Sequence, residues 1–196
     1  MDKGFLPGDI FFTRGTGFIS KIIRLFSRSL GERRTCVNHV GIIVAAGTVK
    51  SCQVVEALYL VRRHSLWKQY GPPRPDRVAV YRPISLNPEE IKAIVNEAND
   101  QVGRKYGYLK LLTHFLDWFL QGVYVFRRLT QNGKYPICSW LVAHAYSKVN
   151  IHFNVAPGAA QPDDIWDYVI SHPKKFKPVF PLGYLVAADE PRILNI

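Results

Sequence analysis

Two β-branched runs separated by only a few residues, NHVGIIVAA (38–46) and SCQVVEALYLV (51–61), narrow what this chain can fold into. With Gly47 and Thr48 between them they read as the strands of a hairpin, which puts an antiparallel sheet in the fold. LPGDIFF (6–12), RVAVYR (77–82) and GYLVAA (183–188) are further strand candidates. A well-marked helix lies between them. Asn87 is its N-cap, Pro88 opens the first turn, Glu90 completes a capping box, and Ile91, Ile94, Val95, Ala98 and Val102 share one face before Gly103 ends it.

Other helices are expected over 17–30, over 111–126, in the segment opened by Pro136, and over PDDIWDYVIS (162–171). GPPRP (71–75) reads as a loop between strands. Strands early, helices in the middle and a late strand predict an α+β fold with an antiparallel sheet packed on helices. At 196 residues, 47% hydrophobic and 13% aromatic, the chain suffices for one domain spanning 1–196.

Lys and Arg number 26 against 15 acidic residues, a net charge of +11 spread along the chain. That balance suits an anionic membrane or cell-wall surface, or nucleic acid, and does not choose among them. No phosphate-binding P-loop or RNA-binding signature supports a nucleic-acid partner. GFISKIIRLFSRSL (17–30) spaces Phe18, Ile22, Phe26 and Leu30 four apart and sets Lys21, Arg24 and Arg28 on another face. It reads as a basic amphipathic helix, docked on the domain or lying on a membrane surface. The apolar stretch 111–126 carries His114 and Asp117 and falls short of the roughly 20 residues a span requires. The amino-terminal segment lacks a signal-peptide pattern, so a cytoplasmic protein is expected. Cys36, Cys52 and Cys138 are too few and too scattered for a disulfide framework, and free thiols are expected.

Cys138, just after Pro136, falls in the first turn of a helix whose buried face continues through Leu141, Val142, Ala145 and Val149. Unpaired N–H groups and the helix dipole favour a thiolate there; a buried packing cysteine is the alternative. His144 is nearest in sequence, yet six residues place it about 120° around the helix and about 9 Å along it. The hairpin offers a better base. If Gly47 and Thr48 form the turn, His39 falls opposite Glu56 with Cβ atoms about 5 Å apart, within reach of a carboxylate–imidazole hydrogen bond. Cys138, His39 and Glu56 then form a nucleophile, a base and an orienting carboxylate. Cys36, His39, Cys52 and His64 have zinc-compatible chemistry, but lack the tight second pair of a zinc site, and no metal or other cofactor is expected.

LPGDIFF, NHVGIIV, VVEA, GRKYGYLKLL (103–112), YPICSWLVAHAY and QPDDIW, in that order, resemble the circularly permuted NlpC-like papain-fold cysteine hydrolases, the YiiX-like proteins, with lecithin:retinol acyltransferase-like enzymes as more distant relatives. In this branch the strands bearing histidine and its polar partner precede the cysteine helix. The resemblance implies Cys138 as nucleophile, His39 as base, Glu56 as third residue, an oxyanion site at the Cys138 backbone N–H, and Tyr106 beside the cleft. Trp140 after Cys-Ser and the heavy 111–126 segment depart from the pattern. A peptide or amide substrate, cell-wall peptides among them, is the first expectation. Lipid-directed acyl hydrolysis or transfer, and a non-catalytic binding module, are the alternatives.

Overall fold

The structure, a computed structural model, describes residues 4–15, 36–73, 76–105 and 137–185. The expected helices at 17–30 and 111–126, Tyr106 and Pro136 lie outside the described residues. The described residues form ten elements in chain order: β1 (Ile10–Arg14), β2 (His39–Ala45), β3 (Gln53–Ala57), β4 (Val61–Ser65), α1 (Leu66–Tyr70), β5 (Arg77–Pro83), α2 (Pro88–Asp100), α3 (Cys138–Ser147), α4 (Pro162–Ser171) and β6 (Phe176–Gly183). The fold is α+β. Its six strands form one sheet in the order β4-β3-β2-β1-β5-β6, every neighbouring pair antiparallel.

Both faces of the sheet are covered, which explains why its central strands read as continuous apolar runs rather than alternating ones. Ile10, Phe12, Val40, Ile42, Val55 and Ala79 pack against the layer of α2, α3 and α4, including Ile94, Leu141, Tyr146 and Ile165. The other face, with Phe11, Ile43, Val54, Val78 and Val80, packs with Leu66 and Tyr70 of α1 and with Leu185. Burying a side chain of this size contributes about 1.5–3 kcal/mol, so the two clusters supply most of the driving force for the sheet. The open edge of β4 is met by backbone: Val61 N–H donates to Arg104 at 2.9 Å and Gly103 N–H to Val61 at 2.9 Å.

The turn before β1 is fixed by its own chemistry. Gly8 has φ of 86°, and a Cβ there would fall 2.8 Å from Ile91 Cδ1, so glycine answers both backbone and space. Asp9, fully buried, accepts from the Leu6 N–H at 2.9 Å and is clamped by Arg82 through Nε and a terminal nitrogen at 2.8 and 2.7 Å. The Tyr146 hydroxyl donates to the Gly8 carbonyl, tying the cysteine helix to the first strand.

Helix α2 has the expected capping box, Asn87 and Glu90 exchanging bonds at 2.8 and 2.9 Å. It ends at Asp100, and Val102, expected on its buried face, is 43% exposed in the turn beyond. Three other expectations are corrected. SCQVVEALYLV is not one strand: β3 stops at Ala57, and Val61 begins β4. The late strand is Phe176–Gly183, ending where the expected one began. The hairpin turn is longer than two residues, because Thr48 accepts from both Ser51 N–H and Cys52 N–H in a turn of its own, while Gly47 bridges to Phe5.

Candidate active site

That longer turn moves the hairpin register. Ile42 faces Val55 and Ile43 faces Val54, with an irregularity between Ile43 and Ala45. Continued outward, this pairing sets Glu56 opposite Gly41, not opposite His39. The shift is two residues. Because strand side chains alternate with a period of two, His39 keeps the same face as Glu56 and becomes its diagonal neighbour. The imidazole Nε2 contacts the Glu56 carboxylate Oε2 directly. The partnership expected from the sequence is present, reached through a different pairing.

Gly41 makes room for this arrangement. Phe11, opposite Gly41, lays its ring over the glycine, and a Cβ would lie 2.4 Å from Phe11 Cε1 and 2.9 Å from the Val55 carbonyl oxygen. The ring centroid is 6.4 Å from His39 and 5.9 Å from Tyr70. Gly41→Ala is expected to cost about 1–3 kcal/mol through overpacking and to displace Phe11 from the site. Chemical denaturation of the variant measures the loss, and an unchanged midpoint would contradict the close approach.

Cys138 is the first residue of α3, following Ile137, whose side chain provides no cap. The helix therefore presents its initial N–H groups to the thiol without competition from a capping side chain or from an acidic residue in its first turn. Cys138 is 6% exposed and belongs to the helix-side cluster, whereas Glu56 lies on the face shared with Val54 and Tyr70. His39, at the start of β2, is where the two meet. Its Nε2 is taken by Glu56, and the imidazole and Cys138 each favour the other's charged form. Nδ1 is the ring nitrogen that the carboxylate does not engage.

The electrostatics follow from burial opposed by partners. Burial lowers the His39 pKa, but Cys138 and then Glu56 outweigh it and lift it from 6.5 to about 10. Burial raises Glu56, yet His39 and His64 together bring it from 4.5 to about 2. For Cys138 burial again opposes ionisation, and the His39 charge, its hydrogen bond and the backbone N–H groups of Val40 and Ser139 prevail, holding the thiol below its ordinary range. The arrangement stabilises a thiolate–imidazolium pair. Cys52, by contrast, is a packing thiol: burial pushes it up to about 11.

The neighbouring residues have structural partners. Ser139 donates to the Ala160 carbonyl at 2.6 Å, fixing the cysteine turn to the segment before α4. His144 points away from the thiol, as its helical offset requires: it stacks on Trp140 with centroids 4.5 Å apart and pairs with Glu97 of α2 at 3.2 Å. Trp140 is 5% exposed, so it belongs to helix packing.

Sequence reasoning missed two members of the site. Tyr70, buried at the end of α1, donates its hydroxyl to Glu56 Oε2 at 2.6 Å. His64 on β4, considered above only as a zinc ligand, has its Nε2 2.7 Å from Glu56 Oε1. Both come from VRRHSLWKQY (61–70), in which Ser65 caps α1 by accepting from the Lys68 N–H. Ser65, an N-cap residue type just before Leu66, was the available signal for this strand-to-helix junction.

No family model matches the chain, and no curated protein matches it. Its fold is similar to that of the metalloprotein yiiX from Escherichia coli O157:H7, whose crystal structure aligns with a TM-score of 0.51 at 18% identity, over 93% of this chain and 88% of that one. At this identity the likeness is one of fold.

Proposed function

We propose that this protein is a cysteine hydrolase of the circularly permuted NlpC-like papain fold, cleaving an amide or peptide bond through an acyl-enzyme on Cys138. The observation that carries the reading is the half-buried His39 imidazole, which contacts the Glu56 carboxylate and is coupled electrostatically to Cys138. The order of the pieces supports it, since the strands with His39 and Glu56 precede the helix that starts at Cys138.

In this reading the Cys138 thiolate attacks the carbonyl carbon, and the developing oxyanion is met by the backbone N–H groups at the start of α3. The His39 imidazolium then gives its Nδ1 proton to the departing amine. The neutral imidazole next takes a proton from water, whose attack releases the acid and restores the thiol pair. Glu56 keeps Nε2 protonated throughout, so the ring works in one tautomer.

The protein with the similar fold is described as a metalloprotein. The metal-ligating residue types among the described residues do not fit such a role: no three of their His, Cys, Asp or Glu side chains form a metal site. Cys36 is exposed, the Cys52 sulfur lies 3.9 Å from the Val49 carbonyl, and His39 and His64 both turn Nε2 to Glu56. The proposed chemistry is carried by the thiol and its partners. The lipid-directed alternative draws on the resemblance to acyltransferase-like enzymes and on segments 17–30 and 111–126, which lie outside the described residues. Among the described residues no helix is long and apolar enough to cross a membrane.

Incubation with a panel of peptide amides and activated acyl esters, quenched in acid and read by intact-protein mass spectrometry, is expected to show an acyl adduct on Cys138. Cys138→Ala is expected to abolish the adduct and turnover. Adduct formation at Cys36 or Cys52 instead, or turnover surviving in Cys138→Ala, would overturn the assignment.

A further inference from the structure

We propose that His64 is a positioning residue which, as an imidazolium, closes a four-charge chain, His64, Glu56, His39 and Cys138, and thereby sets the pH at which the nucleophile ionises. The inference rests on the reading of Cys138 as the reactive thiol and adds to it the group behind the third residue.

The hydrogen-bond inventory around the ring carries the argument. His64 Nδ1 lies 3.1 Å from the Ser65 carbonyl oxygen, and Nε2 lies 2.7 Å from Glu56 Oε1. A carbonyl and an ionised carboxylate are both acceptors, and a neutral imidazole has only one N–H to offer. With Nδ1 donating to Ser65, a bare Nε2 lone pair would face the carboxylate; protonation on both nitrogens removes the conflict. The Nε2–Oε1 contact lacks hydrogen-bond alignment, and neither atom is exposed to solvent or has a hydrogen-bonding partner. Two buried polar atoms left to each other at ion-pair distance are satisfied by opposite charges.

The charge count agrees. A thiolate, a carboxylate and one imidazolium leave a net negative charge in a buried site; a second imidazolium brings the set to neutrality. The protonated state of His64 is favoured in the same way: burial opposes it and is outweighed by Glu56, with Ser65 adding to the rise and His39 opposing it. Tyr70 contributes a neutral clamp on Oε2, which leaves Oε1 to His64. The other ionisable groups nearby are Arg62 and Arg63 of β4, both exposed, Lys68 and Tyr70 of α1, and Asp76, whose charge acts on Tyr70.

Removing the His64 charge makes the potential at both Cys138 and His39 more negative. Both pKa values then rise, and the pH window of the thiolate–imidazolium pair moves upward as a whole. The experiment is the pH profile of Cys138 alkylation by iodoacetamide. In His64→Gln the acid limb is expected to move up by roughly half a unit to one unit, while His64→Lys, which keeps a cation, stays near the wild-type limb. A structural role alone would lower rates at every pH without moving the limb, and that result would overturn the proposal. A wild-type Cys138 insensitive to His39→Ala would instead overturn the hydrolase reading. Should His64→Gln fail to fold, nitrogen NMR of the wild-type imidazoles decides: His64 protonated on both nitrogens near pH 7 is expected, and a neutral ring sinks the idea.

Discussion

At about pH 6, iodoacetamide is expected to alkylate Cys138 about tenfold faster than an ordinary thiol, and His39→Ala to slow that reaction about a hundredfold or more. An unperturbed thiol with a pKa near 8.5 is only about 0.3% thiolate at that pH. The His39 charge and hydrogen bond, with the N–H groups of Val40 and Ser139, make the thiolate of Cys138 the favoured form. A thiolate of lowered pKa is also a weaker nucleophile, so the gain in thiolate fraction is only partly realised as rate. In His39→Ala burial acts on the sulfur largely unopposed and pushes its ionisation above the ordinary range. Both proteins carry the same largely buried Cys138, and peptide mapping separates it from the exposed Cys36. Equal rates in the two proteins would favour a non-catalytic module on this fold.

The second large effect is on stability. Glu56→Gln is expected to cost about 3 kcal/mol near neutral pH, because a buried carboxylate in contact with two imidazoles is replaced by a neutral amide. For a chain of this length that corresponds to a fall in melting temperature of about 6–12 °C. The variant also changes the shape of the acid limb. Glu56 is fully buried and ionises near 4.5 when unfolded and about 2 when folded. Its contribution is therefore complete above 4.5 and is lost as pH falls toward 2, a span worth about 3 kcal/mol. Urea melts across this range are expected to show a steep loss in wild type and a shallower one in Glu56→Gln; parallel curves would contradict the assignment. On the alkaline side two slopes oppose each other. The raised His39 pKa gives stability that is full below 6.5 and lost through about 10. The lowered Cys138 pKa gives stability that is present above 9.0 and lost as pH falls. Where these ranges overlap, the two slopes offset each other, so the acid limb is the clearer readout.

Several parts of this site are legible in the sequence because they depend on short-range rules. Pro136 and the apolar spacing after it mark a helix start at Cys138, and the same helical geometry takes His144 away from the thiol. The capping box of Asn87 and Glu90 fixes the start of α2 without help from the rest of the fold. The pairing of His39 with Glu56 occupies a middle position. The two-residue turn assumed at Gly47 and Thr48 predicts the wrong register, yet an error of two residues preserves the face, so the partnership survives it.

What only the tertiary structure decides is contact between segments that share no local rule. Nothing near Glu56 in sequence indicates that Tyr70 and His64 close on its two oxygens. That depends on β4 pairing with β3 and on α1 folding back against the same face. Phe11 over Gly41 is likewise a contact between strands, made possible by a missing side chain whose purpose is invisible along the chain. By itself the sequence determined the chemistry of the thiol, the histidine and the carboxylate, and the α+β order that allows them to meet, because propensities, caps and alternation act within a few residues. The folded structure decided which groups surround the carboxylate and at what register, because burial and charge pairing depend on neighbours that only packing brings together.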